Sequence, residues 1–127
     1  TKKFHYGLDF TASTGTPVYA TGNGTVKTVK YTRSGYGKHI IIDHGYEYET
    51  LYAHLSDYNV KRGEKVIRGQ VIGFVGSTGR SVAPHLHYEV KLNNKKVNPA
   101  PYCYNDLSIE EYDKIIELSS KENQSFD

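Results

Sequence analysis

Apolar positions along this chain come in short β-branched or aromatic runs separated by Gly, Asn and Ser. Six runs carry the pattern, at 16–20, 24–31, 38–43, 49–55, 70–75 and 85–92. Runs of this length, with turn residues between them and no long helical pattern intervening, predict antiparallel sheets rather than βαβ units. Asn23-Gly24 and Asn93-Asn94 are read as turns, because Asn and Gly tolerate positive φ. Only the tail looks helical. There Ser108 and Glu111 match a capping box, and Leu107 and Tyr112 are spaced as a hydrophobic staple. Tyr112, Ile115 and Ile116 would form one apolar helix face. Residues after Lys121 are expected to fray. The fold class is therefore mainly β with a C-terminal α-helix.

Composition narrows the function more by exclusion than by direction. A chain of 127 residues with 37% hydrophobic content makes one domain with a modest core. A net charge of +2 is a weak pull toward any anionic polymer, and Lys61-Arg62, Lys65 and Lys95-Lys96 lie among acids. No basic stripe for nucleic acid follows from that arrangement. The single cysteine, Cys103, excludes an intrachain disulfide, and no stretch approaches the roughly 18 apolar residues of a membrane-spanning helix. Twelve tyrosines suit sugar or peptide contacts and equally suit the core of a small β domain.

Four histidines and an aspartate change the picture. His5 and Asp9 stand four apart, His54 follows in Tyr52-Ala53-His54, and His85 and His87 bracket one residue in Pro84-His85-Leu86-His87-Tyr88-Glu89. Imidazole and carboxylate are zinc ligands, and a hydrolytic zinc takes three protein ligands plus an open position. These five residues can supply such a triad and leave two histidines for proton transfer. On a strand over 85–92, His85, His87 and Glu89 share one face. Glu89 then orients a ligand histidine or serves a structural role. The His5–Asp9 spacing suits a helix face, whereas Gly7 and Phe10-Thr11 argue for an extended or looped start. His39 and His44 are read as ordinary structural histidines. No HExxH motif supplies a glutamate base, so histidine would have to do that work, and no GxxxxGK[ST] phosphate loop is present.

The phrases His5-Tyr6-Gly7-Leu8-Asp9-Phe10, Gly15-Thr16-Pro17-Val18, Tyr52-Ala53-His54-Leu55-Ser56 and Gly63-Glu64-Lys65-Val66 occur in that order. Gly69-Gln70-Val71-Ile72-Gly73, Gly76-Ser77-Thr78-Gly79 and His85-Leu86-His87-Tyr88-Glu89 follow. Together they resemble the M23 zinc endopeptidases of the lysostaphin or LytM type, which cut peptide cross-bridges of bacterial peptidoglycan. The resemblance runs from residue 5 to about residue 102. It implies a LytM-type (duplicated-hybrid-like) antiparallel sheet domain over 1–104, with 105–127 as a helical extension and tail. It further implies one Zn²⁺ held by His5, Asp9 and His87. His85 would be general base or proton shuttle, and His54 would hold the attacking water or stabilise the oxyanion. The implied partner is peptidoglycan stem peptide and cross-link, in the envelope or outside the cell. A D-alanyl-to-diaminopimelate bond is favoured, with a glycine bridge as the alternative, and a monomer is expected.

Two loops are expected to wall the substrate groove. Residues 73–84 would offer backbone groups to an extended peptide, with Thr78 and Gly79 in contact. Residues 32–37 would form the opposite wall and present Tyr36. The chain starts at Thr1, only four residues before His5, where the family usually has a glycine- and aromatic-rich segment. A mature product or excised domain of a longer exported protein is therefore expected, one that would lack an N-terminal strand of the family. Val82-Ala83 also departs from the polar residue and glycine usual there. Two other readings compete. One is a non-catalytic scaffold that binds the wall or activates another hydrolase. The other is a biotinyl- or lipoyl-like carrier module around 63–73, which lacks the modifiable lysine phrase.

Overall fold

The alternation read over 85–92 becomes one strand of a nine-stranded antiparallel sheet in the computed structural model, which describes residues 7–79 and 83–103. The strands are β1 (Gly7–Thr11), β2 (Pro17–Tyr19), β3 (Gly24–Tyr31), β4 (Lys38–Gly45) and β5 (Tyr48–Tyr58). They continue with β6 (Lys65–Val66), β7 (Val71–Val75), β8 (His85–Leu92) and β9 (Lys95–Val97), before a short α1 (Ala100–Cys103). The order β1-β8-β5-β4-β3-β6 forms the main path, with β7 on β5, β2 on β7 and β9 on β8. The mainly β, antiparallel expectation is met. The capping-box helix read over the tail lies outside the described residues, and α1 precedes it.

Register sorts the side chains onto two faces. Leu8 opposes Tyr88, Tyr88 opposes Tyr52, Tyr52 opposes Ile40, and Val90 opposes Thr50. These residues join Val18, Val26, Leu55, Ile72 and Val75 in the buried core. Asp9 opposes His87, His87 opposes Ala53, and Glu89 opposes Leu51, on the other face. Because side chains alternate, burying one set aims the other set at a common surface.

The core face carries a buried polar chain. The Thr50 hydroxyl bridges the Tyr52 hydroxyl (2.8 Å) and His44 Nε2 (2.7 Å). Thr21 Oγ1 bridges the Tyr52 and Tyr88 hydroxyls at 3.0 and 2.9 Å, and His44 Nδ1 donates to the Asn23 carbonyl at 2.7 Å. The chain ties β4, β5 and β8 to the turn before β3. His44 is thus structural, as expected.

Turns follow the sequence unevenly. Asn93 and Asn94, at φ 54° and 68°, make the two-residue β8–β9 connection that suits a right-twisted hairpin. Tyr46 and Glu47 do the same between β4 and β5 at φ 54° and 61°, without Asn or Gly. Asn23-Gly24 leads into β3 without a positive φ.

Thr50→Val should cost about 1–3 kcal/mol by urea denaturation, since a bridging hydroxyl is deleted among buried polar groups. Burial pushes the His44 imidazole below its ordinary pKa, outweighing the upward pull of the Asn23 carbonyl and the Asp43 charge. The unfolded chain then binds that proton more tightly, so stability present above about pH 6.5 is lost as pH falls below it. His44→Gln should show a smaller drop in Tm than the parent chain between about pH 7 and pH 5.

Candidate metal centre

β8 lies between β1 and β5, so its outward side chains meet groups from both neighbours. His87 Nδ1 stands 2.8 Å from Asp9 Oδ1, and His85 Nε2 stands 3.5 Å from the same oxygen. On the far side of its ring, His87 Nε2 is 2.7 Å from Glu89 Oε2. Asp9, His85, His87 and Glu89 are all buried. Gly7 permits this packing, because a Cβ there would fall onto the His87 imidazole. The extended reading of the His5–Asp9 segment thus holds from Gly7 onward. His5 itself lies outside the described residues.

His54 reaches the site by an irregularity. Simple alternation would put it with Tyr52 on the core face. Instead its backbone takes φ 64°, the strand pairing shifts register beyond it, and the ring turns over to the side of His87. Ring centroids of His54 lie 4.8 Å from His85 and 6.0 Å from His87. A positive φ in a non-glycine residue costs about 1–2 kcal/mol, and such strain often coincides with function.

Tautomers follow from the backbone. A carbonyl only accepts, so His54 Nδ1 donates to the Thr78 carbonyl (2.7 Å) and His85 Nδ1 to the Ala83 carbonyl (3.0 Å). In each neutral ring the lone pair is then on Nε2, the atom a general base needs.

Parts of the two expected walls touch, Gly35 and Gly37 of one meeting Thr78 and Gly79 of the other. Gly37, at φ 65°, and Gly79, at φ 77°, press backbone to backbone, leaving no room for a Cβ on either. The Thr78 hydroxyl accepts from the Lys38 N–H (3.0 Å) and donates to the Leu55 carbonyl (2.7 Å). Its carbonyl holds His54. The Tyr36 hydroxyl donates to Glu89, at 2.8 and 2.9 Å from the two carboxylate oxygens. These groups are thus committed to the scaffold and to the buried cluster.

Glu89 makes the contact with His87 that its orienting reading requires. Burial raises its carboxyl pKa, but the hydrogen bond and charge of His87, the Tyr36 hydroxyl and Lys96 together hold it below the usual glutamate value. The alternating His85-x-His87-x-Glu89 spacing carries this signal in the sequence. The links from Tyr36 and Lys96 have no such signature.

The donor set fits a divalent metal. A neutral imidazole has one N–H, yet His87 faces a carboxylate at each nitrogen. A cation at Nδ1 shared with Asp9, with Nε2–H donated to Glu89, satisfies both, and carboxylate-backed histidine is the usual arrangement around zinc. Tetrahedral zinc with bonds of about 2.0–2.1 Å holds its donors about 3.3 Å apart, so Asp9 and His87 need to separate by only about half an ångström. Among the described residues no three His, Cys, Asp or Glu side chains form a complete metal group. Of the three expected ligands, Asp9 and His87 lie within the described residues and stand 2.8 Å apart.

A sheet-borne carboxylate–histidine pair with two tautomer-fixed histidines defines a metallohydrolase type of site. The chain belongs to peptidase family M23, whose model matches residues 3–99. It is 47% identical over 94 residues to the peptidoglycan DD-endopeptidase ShyA of Vibrio cholerae, covering 74% of this chain and 22% of the relative. A zinc-containing peptidase from Vibrio cholerae superimposes with a TM-score of 0.71 at 44% identity, covering 74% of this chain and 29% of the other. The catalytic domain of lysostaphin from Staphylococcus simulans gives 0.72 at 39%, with 78% of each chain covered. The chain spans about a fifth to just over a quarter of the length of the curated relatives it matches.

His54→Gly should be more stable than His54→Ala by about 1 kcal/mol in urea denaturation, because only glycine relaxes at φ 64°.

Proposed function

We propose that this domain is a zinc-dependent endopeptidase acting on peptide cross-links of peptidoglycan, in the cell envelope or outside the cell. The reading is carried by one observation: Asp9 and His87 meet at 2.8 Å beside two histidines whose Nδ1 atoms are tied to backbone carbonyls. Family membership and the peptidoglycan DD-endopeptidase among its relatives support it. The DD designation of that relative favours the D-alanyl-to-diaminopimelate bond over a glycine bridge.

His5, Asp9 and His87 are the ligands in this reading, with one zinc per chain. Bound there, zinc would polarise the scissile carbonyl and bring the pKa of water to about 7. His85 Nε2 takes the proton lost by the attacking water and returns it to the leaving amine. His54 Nε2, a lone-pair acceptor in this tautomer, takes a hydrogen bond from that water and orients it. Glu89 keeps the His87 ring in place.

Incubation of purified cross-linked muropeptide dimers with the zinc-loaded chain, followed by mass spectrometry, should yield monomers whose masses identify the bond. Asp9→Ala and His87→Ala should lose zinc and cleavage together. His85→Ala should keep zinc and lose turnover about 10²–10⁴-fold. Intact dimers from a zinc-loaded parent chain would favour a wall-binding scaffold, and cleavage by zinc-free His87→Ala would overturn the ligand set.

A further inference from the structure

We propose that Tyr36 is a positioning residue for the metal centre, acting through Glu89 on His87 and through its own backbone on His54, rather than a substrate contact. The inference builds on the zinc reading above.

Four contacts carry it. The Tyr36 hydroxyl lies 2.8 and 2.9 Å from the two oxygens of the Glu89 carboxylate. One of those oxygens, Oε2, is 2.7 Å from His87 Nε2. The Tyr36 ring stacks on the His87 ring, with centroids 6.1 Å apart and planes 25° from parallel. The Tyr36 carbonyl accepts the His54 N–H at 2.8 Å, at the residue whose backbone is turned to φ 64°. One residue of the 32–37 loop therefore clamps the carboxylate behind the metal ligand, covers that ligand's ring and holds the backbone of the water-orienting histidine.

The chemistry of the clamp is specific. A carboxylate can rotate about its last torsion, and a single contact with His87 does not stop it. A hydroxyl set near both oxygens does, with Lys96 Nζ adding a partly exposed charge 3.4 Å from Oε2. Fixing Glu89 fixes the direction in which His87 offers its Nε2–H, and with it the direction of the Nδ1 lone pair. Partners behind a ligand histidine are commonly worth 10–100-fold in metal affinity. A groove wall has no reason to bond a buried carboxylate behind the ligand, and its loss would alter substrate affinity instead.

Tyr36→Phe separates these roles, because it keeps the ring and the carbonyl while removing the hydroxyl. Zinc affinity, measured by chelator competition, should weaken roughly 3–10-fold in Tyr36→Phe and roughly 10–100-fold in Glu89→Leu. Glu89→Gln should recover part of that loss, since its amide oxygen still accepts from His87. Long-range ¹H–¹⁵N spectra should show a His87 Nε2 proton that exchanges slowly with water in the parent chain and faster in Tyr36→Phe. The ring signal needs no cleavage and is read on the zinc-loaded chain. Failure of the muropeptide assay would therefore sink the endopeptidase reading and leave this one standing. Unchanged zinc affinity and unchanged Nε2–H exchange in Tyr36→Phe, with KM raised, would overturn the positioning role in favour of substrate contact.

Discussion

Asp9 and His87 stand opposite each other on β1 and β8, 78 positions apart in the chain, and nearly every feature of the site depends on that pairing. It is set from the other face of the sheet. Leu8 and Phe10 flank Asp9, Leu86 and Tyr88 flank His87, and Leu8 meets Tyr88 in the core. A slip of one residue would turn the carboxylate toward the core and the apolar pair toward the site, so hydrophobic burial also enforces the chemical register. The same argument reaches β5, where Tyr52 pairs with Tyr88 below the sheet and Ala53 with His87 above it. The small Ala53 side chain leaves the space that the histidine rings occupy.

Placing these groups together is costly for the fold. Two buried carboxylates and three buried imidazoles lose hydration, and each charge so buried costs several kcal/mol unless it is paired. The chain answers by alternation: carboxylate, imidazole, carboxylate and phenol follow one another from Asp9 through His87 and Glu89 to Tyr36. Each member depends on the next for its hydrogen bonds. The cluster therefore couples to cation binding more strongly than an isolated ligand pair, since a bound cation offsets the charge of the acids.

The sheet is legible in the sequence because its signals are local. Runs of β-branched and aromatic residues mark the strands, and Asn93-Asn94 marks its own turn. The His85-x-His87-x-Glu89 spacing places three side chains on one face by period alone. That Asp9 joins them comes from family resemblance rather than from spacing, which left its segment helical or extended. Less legible are features created by tertiary contact. Tyr46 and Glu47 take positive φ because the flanking strands require a tight connection, not because their residue types favour it. The flip at His54 is invisible in Tyr52-Ala53-His54, which reads as uninterrupted strand. The two loops read as opposite walls touch, since Gly37 and Gly79 are places where backbone meets backbone.

That contact explains why the site uses backbone carbonyls where many histidine sites use carboxylates. Had a third acid held the Nδ1 of His54 or His85, another buried charge would sit beside Asp9 and Glu89. A carbonyl fixes the tautomer without adding charge, but it does so only if the loop is placed to within a few tenths of an ångström. Thr78 receives that placement from its hydroxyl, held between Lys38 of β4 and Leu55 of β5, and from the Gly37–Gly79 contact. The loop is thus pinned to the same strands that carry His54. Precision at the Nε2 atoms comes from the sheet through main-chain geometry, which is why Gly37 and Gly79, neither with a side chain to offer, constrain the chemistry as firmly as the histidines do.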